Sequence, residues 1–579
     1  MTTIRKIEIA NFRCIKKLDW VPSEGMNCLI GPGDSGKSTI LDAIDLTLGA
    51  RRQTTFTDAD LHGMDPTQLI DIKITIGALG DELKDYDLYG LYHQGWAGDR
   101  EELEDEPGPD LETVLTVRLQ VAEDLEPTWT LVSERAAAQG ATRDMSWGHR
   151  AANAPTRLGA YMAQHFAWGQ RSVLNRLSTD RAKASAALTT AGRLARDSFK
   201  GKANDEVNNT LRIVTEVGEE IGVDVGEVQA LLDVQGLSFT GGTIGVHDAN
   251  GIPLRNLGLG SGRLLVAGMQ RHAGGESQVA LIDEVEHGLE PYRITRLLHC
   301  LGSKEGDPGP QVFMTTHSPV VLRELASDQL WVVRKAQAGN ARHTLSCPGS
   351  GAQSTVRACP DAFLARSVLV CEGKTEIGLV RGIDLHRQSQ DMTGINAHGV
   401  LWADGGGDNA FARALAFRRL GYRTAILRDC DKQPAEADRK AATEQGIDIF
   451  EWSAGNATED EIFACVPEGS IAKLIEIACD WRSEDAVDAN IKWASDNAIG
   501  IKECREAFTA EMRPFLGKAA QKKGASLYKD VDPAERIGRE VVGPNLNACG
   551  SLAAVINNVF AWAEAESDLP PEADDGAAR

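Results

Sequence analysis

Two groups of residues in this chain have the types and spacing for phosphate chemistry, and they lie far apart. The first is Gly31-Pro32-Gly33-Asp34-Ser35-Gly36-Lys37-Ser38, set between an apolar run (Met26, Cys28, Leu29, Ile30) and an amphipathic run from Thr39 to Leu48. Strand, glycine loop and helix in that order make a P-loop. Gly31 and Gly36 let the backbone curl until successive N–H groups point at one phosphate, and Gly33, Asp34, Ser35 and Thr39 belong to the same cradle. Lys37 then reaches the β/γ-phosphates and the Ser38 hydroxyl ligates Mg²⁺.

The second group begins where the apolar run Ser367 to Cys371 meets Glu372-Gly373-Lys374-Thr375-Glu376, and continues where Thr424 to Leu427 ends at Asp429-Cys430-Asp431. Glu372 and Glu376 share a face if a helix starts there, and Gly373 permits the tight strand-to-helix turn. The i, i+2 spacing puts Asp429 and Asp431 on the same side of an extended segment. Carboxylates gathered this way repel one another unless they hold a hard cation such as Mg²⁺ or Mn²⁺. Ions of that kind activate water and neutralise a leaving oxygen in phosphoryl transfer. Between the two strands, Asp404-Gly405-Gly406-Gly407-Asp408 reads equally as a plain turn or as part of the site.

Other segments supply parts for the first group. Gln278 to Glu284 (QVALIDE) reads as a buried strand ending in adjacent carboxylates. Asp283 is placed to complete the Mg²⁺ shell and Glu284 to polarise the attacking water. A turn, Glu286 to Pro291, and a further strand, Gln311 to Met314, lead to Thr315-Thr316-His317-Ser318, where His317 could sense the γ-phosphate. Leu257 to Leu265 is a glycine-rich lead into a helix.

The elements that must position these residues alternate strand and helix, so the fold class is α/β. Thr3 to Phe12, Asp71 to Leu79 and Thr113 to Val121 read as strands, with an acidic loop from Asp99 to Glu112. From about Pro155 to Leu232 the chain turns rich in Ala, Leu, Arg and Glu, and runs such as Arg181 to Arg196 and Asp205 to Ile221 fit helical periodicity. Leu237 to Val246 returns to short strand and turn patterns. The expected organisation is a head in two parts (1–154 and 236–356), a helical insertion (155–235) that could be a dimerisation arm, a second domain (357–563) and an acidic tail (564–579) expected to be disordered.

With 579 residues the chain can build several cores. No apolar stretch has the length of a membrane span. The eleven cysteines include no CxxC pair, so a reduced, cytoplasmic protein without structural zinc is expected. A formal charge of −23 argues against indiscriminate nucleic-acid binding by the whole surface. It leaves a local basic groove possible, because salt confines each charge's reach to about 10 Å.

Taken together, the first set of motifs resembles an ABC-type ATPase head of the SMC and RecF kind. The resemblance makes Leu259 to Arg263 (LGSGR) a divergent signature, with Gly260, Ser261 and Gly262 contacting the nucleotide of a partner head, and hence implies a homodimer or higher oligomer. Lys37 and Asp283 are 246 positions apart (283 − 37), as an interrupted head requires. The second set resembles a Toprim domain. The two in one chain resemble the OLD family (overcoming lysogenization defect), which includes the nuclease of the Gabija anti-phage system.

That resemblance implies an ATP-controlled DNA endonuclease using Mg²⁺ or Mn²⁺, with a helicase-like partner protein and a role in antiviral defence. Its metal ligands would be Glu372, Glu376, Asp429, Asp431 and one acid of Thr458 to Phe463 (TEDEIF): Glu459, or alternatively Glu461. It also implies a C-terminal lysine, for which Lys529 is favoured over Lys518, Lys522 and Lys523. The alternative is a RecF-like DNA-binding ATPase clamp with no nuclease activity of its own.

Overall fold

The computed structural model describes residues 2–50, 54–158, a few between 165 and 213, 245–273, 279–304, 310–335 and 342–565. The inner part of the expected insertion, the runs 181–196 and 205–221 among it, lies almost wholly outside the described residues, as do most of 237–246 and all of 566–579.

At the N-terminus β1 (Thr3–Phe12) and β2 (Ile15–Trp20) form an antiparallel pair, followed by β3 (Met26–Ile30) and helix α1 (Lys37–Leu48). Next come β4 (Ile70–Gly77), β5 (His93–Ala97), β6 (Glu102–Glu104), β7 (Glu112–Val121) and β8 (Pro127–Val132), then a short helix α2 (Trp147–Ala152). The antiparallel sheet runs β2-β1-β4-β7-β5-β6, with β8 also on β7. Ile7 pairs with Ile74 and Ile9 with Ile72, so these apolar side chains share one face and pack on α1.

The second sheet holds the P-loop. It runs β13-β12-β3-β11-β10-β9, built from β9 (Thr156–Leu158), β10 (Val279–Ile282), β11 (Gln311–Thr315), β12 (Leu330–Arg334) and β13 (Thr344–Ser346), with helices α3 (Leu259–Ala273) and α4 (Pro291–Cys300) beside it. All neighbours are parallel except β12 with β13. Buried on both faces, its strands read as continuous apolar runs: Leu29, Leu281 and Phe313 face α1, while Cys28, Ile282 and Met314 face the opposite core. Thr156 to Leu158, expected within a helical insertion, instead adds a strand to this sheet beside β10. Three residues are too few for the helical periodicity of the flanking sequence to reveal them.

The third sheet is parallel, in the order β15-β14-β16-β17: β14 (Ser367–Cys371), β15 (Val400–Asp404), β16 (Arg423–Arg428) and β17 (Asp448–Glu451). Helix α5 (Lys374–Ser389) covers one face and α6 (Ala410–Arg419) the other. Helices α7 (Thr458–Cys465), α8 (Val531–Ile537) and α9 (Gly550–Glu564) close the α5 side. Val368 and Val370 join the same apolar core as Cys28 and Met314, which makes one core continuous between the second and third sheets.

Glu564, expected to open the tail, ends α9 and pairs with Arg387. Among the described residues no single helix is long and apolar enough to cross a membrane.

Candidate functional site

The sequence-expected nucleotide residues converge because β3, β10 and β11 are parallel and end at one edge. Gly31 has φ +133°, and a Cβ there would meet the Val333 carbonyl oxygen at 2.7 Å, so only glycine opens the loop. Gly36, at φ +95°, turns the chain into α1. Lys37 Nζ donates to the carbonyls of Gly31 (3.1 Å) and Pro32 (2.7 Å), folded back over the loop. Burial lowers its ammonium to about 8, against the opposing pull of Asp34, Asp283 and Glu286.

Ser38 Oγ donates to Asp283 Oδ1 at 2.9 Å, and Thr315 Oγ1 donates to the same oxygen at 2.7 Å. Glu284 follows with φ +46°, its backbone N–H on Thr315 Oγ1. His317 lies within electrostatic reach of Lys37, Glu284 and Asp283; burial first, then Lys37, depresses its imidazole. Its backbone N–H donates to Glu286 Oε1 at 2.7 Å.

The expected signature opens α3. Gly260 packs against the turn after Glu284: a Cβ would meet the Gly288 carbonyl oxygen at 2.5 Å. Ser261 Oγ accepts from Arg293, and Gly262 is buried. Three residues take roles here that the sequence did not assign: Arg263 and Thr315, named only within longer motifs, and Arg157. Arg263 is buried and donates to the carbonyls of Glu284 (2.8 Å) and His287 (3.1 Å), bracing the acidic turn. Arg157, on β9, ion-pairs with Asp42 and Asp45 and lies 3.7 Å from Asp283 Oδ2. Thr315 fixes the Asp283 carboxylate. A lone arginine in a three-residue strand gives no signal in sequence.

The second group also gathers at one edge, at the C-terminal ends of the third sheet. Glu372 follows β14, Asp404 ends β15 and Asp429 follows β16. Glu372, Asp429 and Asp431 bring carboxylate oxygens within 4.8 Å of one another. Glu372 Oε2 and Asp429 Oδ1 are buried and accept no hydrogen bond. Burial, followed by the charges of Glu372, Glu376 and Asp431, pushes the Asp429 carboxyl well above the usual range. Hard oxygen donors with orphaned lone pairs are the set that a divalent cation satisfies.

Glu376 stands apart from that trio. Helix α5 starts at Lys374, so Glu372 lies on the strand end rather than on a helix face with Glu376. Glu376 Oε2 accepts from the Gly373 N–H at 2.7 Å, and Oε1 accepts from Thr458. Burial raises its carboxyl, and the nearby Glu372 adds to the shift.

The structure distinguishes the remaining alternatives geometrically. Glu461 is fully engaged, accepting from Ser453, Asn456 and Ser551. Glu459 is equally buried but has an orphaned Oε1, and burial raises it to about 7, with Glu376 reinforcing and Lys529 opposing. Lys518 and Lys522 both lie over the Trp493 ring, at 5.4 and 5.1 Å. Lys529 is exposed and electrostatically coupled to Glu459. Its neighbour Tyr528 is fully buried, the hydroxyl donating to the Leu474 carbonyl at 2.8 Å, which anchors the loop. Beyond it α8 crosses α5 closely: a Cβ at Gly382 would lie 2.0 Å from the Glu535 carbonyl oxygen.

Asp404 holds its own loop through the Gly406 N–H, while the Gly407 N–H donates to the Glu372 carbonyl at 2.8 Å, so DGGGD braces Glu372. Arg428, buried and unforeseen, bonds Glu451 at 2.9 Å and stands 3.4 Å from Glu372 Oε2. Its position directly before Asp429 was a legible signal.

Residues 26–323, just over half of the chain, match the family described as "AAA domain, putative AbiEii toxin, Type IV TA system". The chain belongs to this family. Its ATPase domain therefore contains the P-loop and the Asp283-Glu284 strand, and nucleotide binding follows from that membership.

Two curated relatives match short stretches. The chromosome partition protein Smc of Methanocaldococcus jannaschii is 47% identical over 49 residues, and the OLD nuclease of Thermus scotoductus 41% over 46. Each stretch is 8% of this chain, and the chain spans 4% and 8% of those relatives' lengths. Among solved structures, an SMC head bound to the C-winged helix domain of ScpA aligns at 15% identity over 59% of this chain and 97% of its own, with a TM-score of 0.34. RecF with ATP aligns at 14% over 60% and 99%, with a TM-score of 0.31.

Proposed function

We propose that the chain is a nucleotide-controlled, divalent-metal-dependent DNA endonuclease of the OLD type, an ABC-type head joined to a Toprim-type nuclease unit at residues 357–563. The observation that carries this reading is the trio Glu372, Asp429 and Asp431, with buried oxygens on Glu372 and Asp429 that accept no hydrogen bond, in the same chain as an ATPase domain. The short likeness to an OLD nuclease supports it.

In this reading the trio holds Mg²⁺ or Mn²⁺, which supplies Lewis-acid and water-activating chemistry when bound. Glu459 adds a ligand from α7. Glu376, tied by Thr458 and the Gly373 N–H, fixes the entry of α5 and is a positioning residue more than a ligand. Lys529, on its anchored loop, offers a positive charge to the scissile phosphate. In the head, Lys37 and the loop amides bind the triphosphate, Ser38 and Asp283 hold its Mg²⁺, Glu284 orients water and His317 contacts the γ-phosphate. Leu259 to Arg263 would complete the site of a second copy.

The test is a cleavage assay on supercoiled and linear DNA with Mg²⁺ or Mn²⁺, across an ATP titration, for the chain alone and with helicase-like proteins encoded beside it. Metal-dependent cleavage lost in Asp429→Ala is expected. If the purified chain binds DNA in an ATP-dependent way and never cuts it, the clamp reading replaces this one. A role in defence predicts fewer phage plaques on cells expressing the chain, an effect lost in the same variant.

A further inference from the structure

A basic and aromatic patch lies outside both sites, on helices of the C-terminal region. The seventeen residues from Arg513 to Lys529 hold one arginine and four lysines and no acid, in a chain whose formal charge is −23. Eight of them form the helix Arg513–Ala520, which is docked on α7. A Cβ at Gly517 would meet Asp460 Oδ1 at 2.4 Å, and the Arg513 guanidinium donates to the carbonyls of Phe463 and Val466 at the end of α7. The basic segment is thereby fixed to the helix that carries Glu459.

The lysines themselves are turned to solvent. Lys518, Lys523 and Lys529 are exposed and Lys522 is half-buried; among the described residues none of the four has a carboxylate within ion-pair distance. Lys518 and Lys522 both bring their ammoniums over the Trp493 ring, at 5.4 and 5.1 Å. Trp493 belongs to the neighbouring helix Glu484–Ala494 and is 47% exposed, and Phe515, one turn before Lys518, is exposed as well. Of the acids flanking the patch, Asp488 pairs with Lys492 and Asp530 with Lys374, leaving Asp496 and Glu511 exposed. Two ammoniums gathered at one ring repel each other, and a phosphate between them relieves that repulsion. Lysines alone would attract any polyanion. The indole they share adds a flat apolar face of the kind on which an unpaired base stacks.

We infer that this patch binds single-stranded DNA, with phosphates on Lys518, Lys522 and Lys523 and a base on Trp493, and leads the strand toward Glu459 and Lys529. The choice of DNA among polyanions rests on the nuclease reading.

The experiment is a fluorescence-anisotropy titration of the full chain against labelled oligothymidylate of about 20 nucleotides, in EDTA so that nothing is cut. Saturable binding that weakens with salt is expected. Lys518→Gln with Lys522→Gln should weaken it by about tenfold or more at low salt, and should lower the slope of log affinity against log salt by roughly 1.4, about 0.7 for each charge removed. Trp493→Leu should weaken it by about five- to a hundredfold, and Trp493→Phe, which keeps a ring, should restore most of the loss. Unchanged affinity and salt slope in the lysine variant overturn the inference, and so does unchanged affinity in Trp493→Leu. Metal-dependent cleavage by the same preparations keeps the two readings apart. Patch-dependent binding by a chain that never cuts supports this inference and sinks the nuclease reading alone. Cutting by a chain whose lysine variant binds the strand as tightly as the natural one sinks this inference alone.

Discussion

The two acidic sites at parallel-sheet edges handle their charges in opposite ways. In the head the Asp283 and Glu286 carboxylates have protein partners: Asp283 takes Ser38 and Thr315, with Arg157 close by, and Glu286 takes Thr316 and the His317 N–H. Lys37 is likewise turned onto backbone carbonyls. In the C-terminal sheet Asp429 and Glu459 each keep an oxygen buried and unbonded, and Glu372 keeps a buried one without a hydrogen bond that meets only the Arg428 guanidinium at 3.4 Å. A satisfied site must exchange internal hydrogen bonds for those of a nucleotide, so its gain on binding is a difference. An unsatisfied site gains outright from a cation, because like-charge repulsion and desolvation are relieved together.

The sharpest way to break the comparison is to remove the unsatisfied acids. Asp429→Ala and Glu372→Ala should each lower metal-dependent DNA cleavage by about 10³-fold or more, since the metal shell is lost, while ATP turnover by the head stays within a few-fold. Plasmid nicking and phosphate release measured on the same preparations check both halves; unchanged cleavage in both variants would sink the assignment.

In the head, Glu284→Gln should reduce ATP turnover by about 10²–10⁴-fold, the usual loss for a general base, with nucleotide affinity retained. Lys37→Ala should lose affinity itself. Equilibrium binding of a fluorescent ATP analogue alongside steady-state hydrolysis separates the two.

A stability measurement sharpens the contrast. Without metal, Asp429→Asn removes repulsion and should stabilise the C-terminal region by roughly 1–3 kcal/mol, the scale of a relieved buried charge. Added Mg²⁺ or Mn²⁺ should stabilise the natural protein more than this variant. Hydrogen exchange of residues 367–465 with and without metal reads this directly.

The smallest effect is a pH dependence of opposite sign in the two regions. His343, buried in the head, has its folded pKa lowered to about 4 by burial first, with the charges of Lys335 and His62 adding to it. The unfolded chain then binds the extra proton, so the head loses stability as pH falls from about 6.5 toward 4. Glu459 is raised to about 7 by burial, so the metal-free C-terminal region loses stability as pH rises from about 4.3 toward 7. Exchange profiles at pH 5 and pH 7 should diverge in these directions, and metal should remove the second trend. Parallel trends would contradict the contrast.

Much of this was legible in the chain itself. The P-loop, the strand ending in Asp283-Glu284 and the pairing of Glu372 with Asp429 and Asp431 follow from local rules: glycines where the backbone must curl, apolar runs where strands are buried, acids at their C-terminal ends. Tertiary structure decided which acids stay unsatisfied. Glu459 and Glu461 are two residues apart on one helix, and only the folded neighbours Ser453, Asn456 and Ser551 separate them. It likewise drew Glu376 onto Thr458, put Arg157 beside Asp283 and brought Lys529 within electrostatic reach of Glu459. The reason is physical: residue type and spacing set what a side chain can donate or accept, whereas burial and unmet hydrogen bonds depend on groups tens to hundreds of positions away.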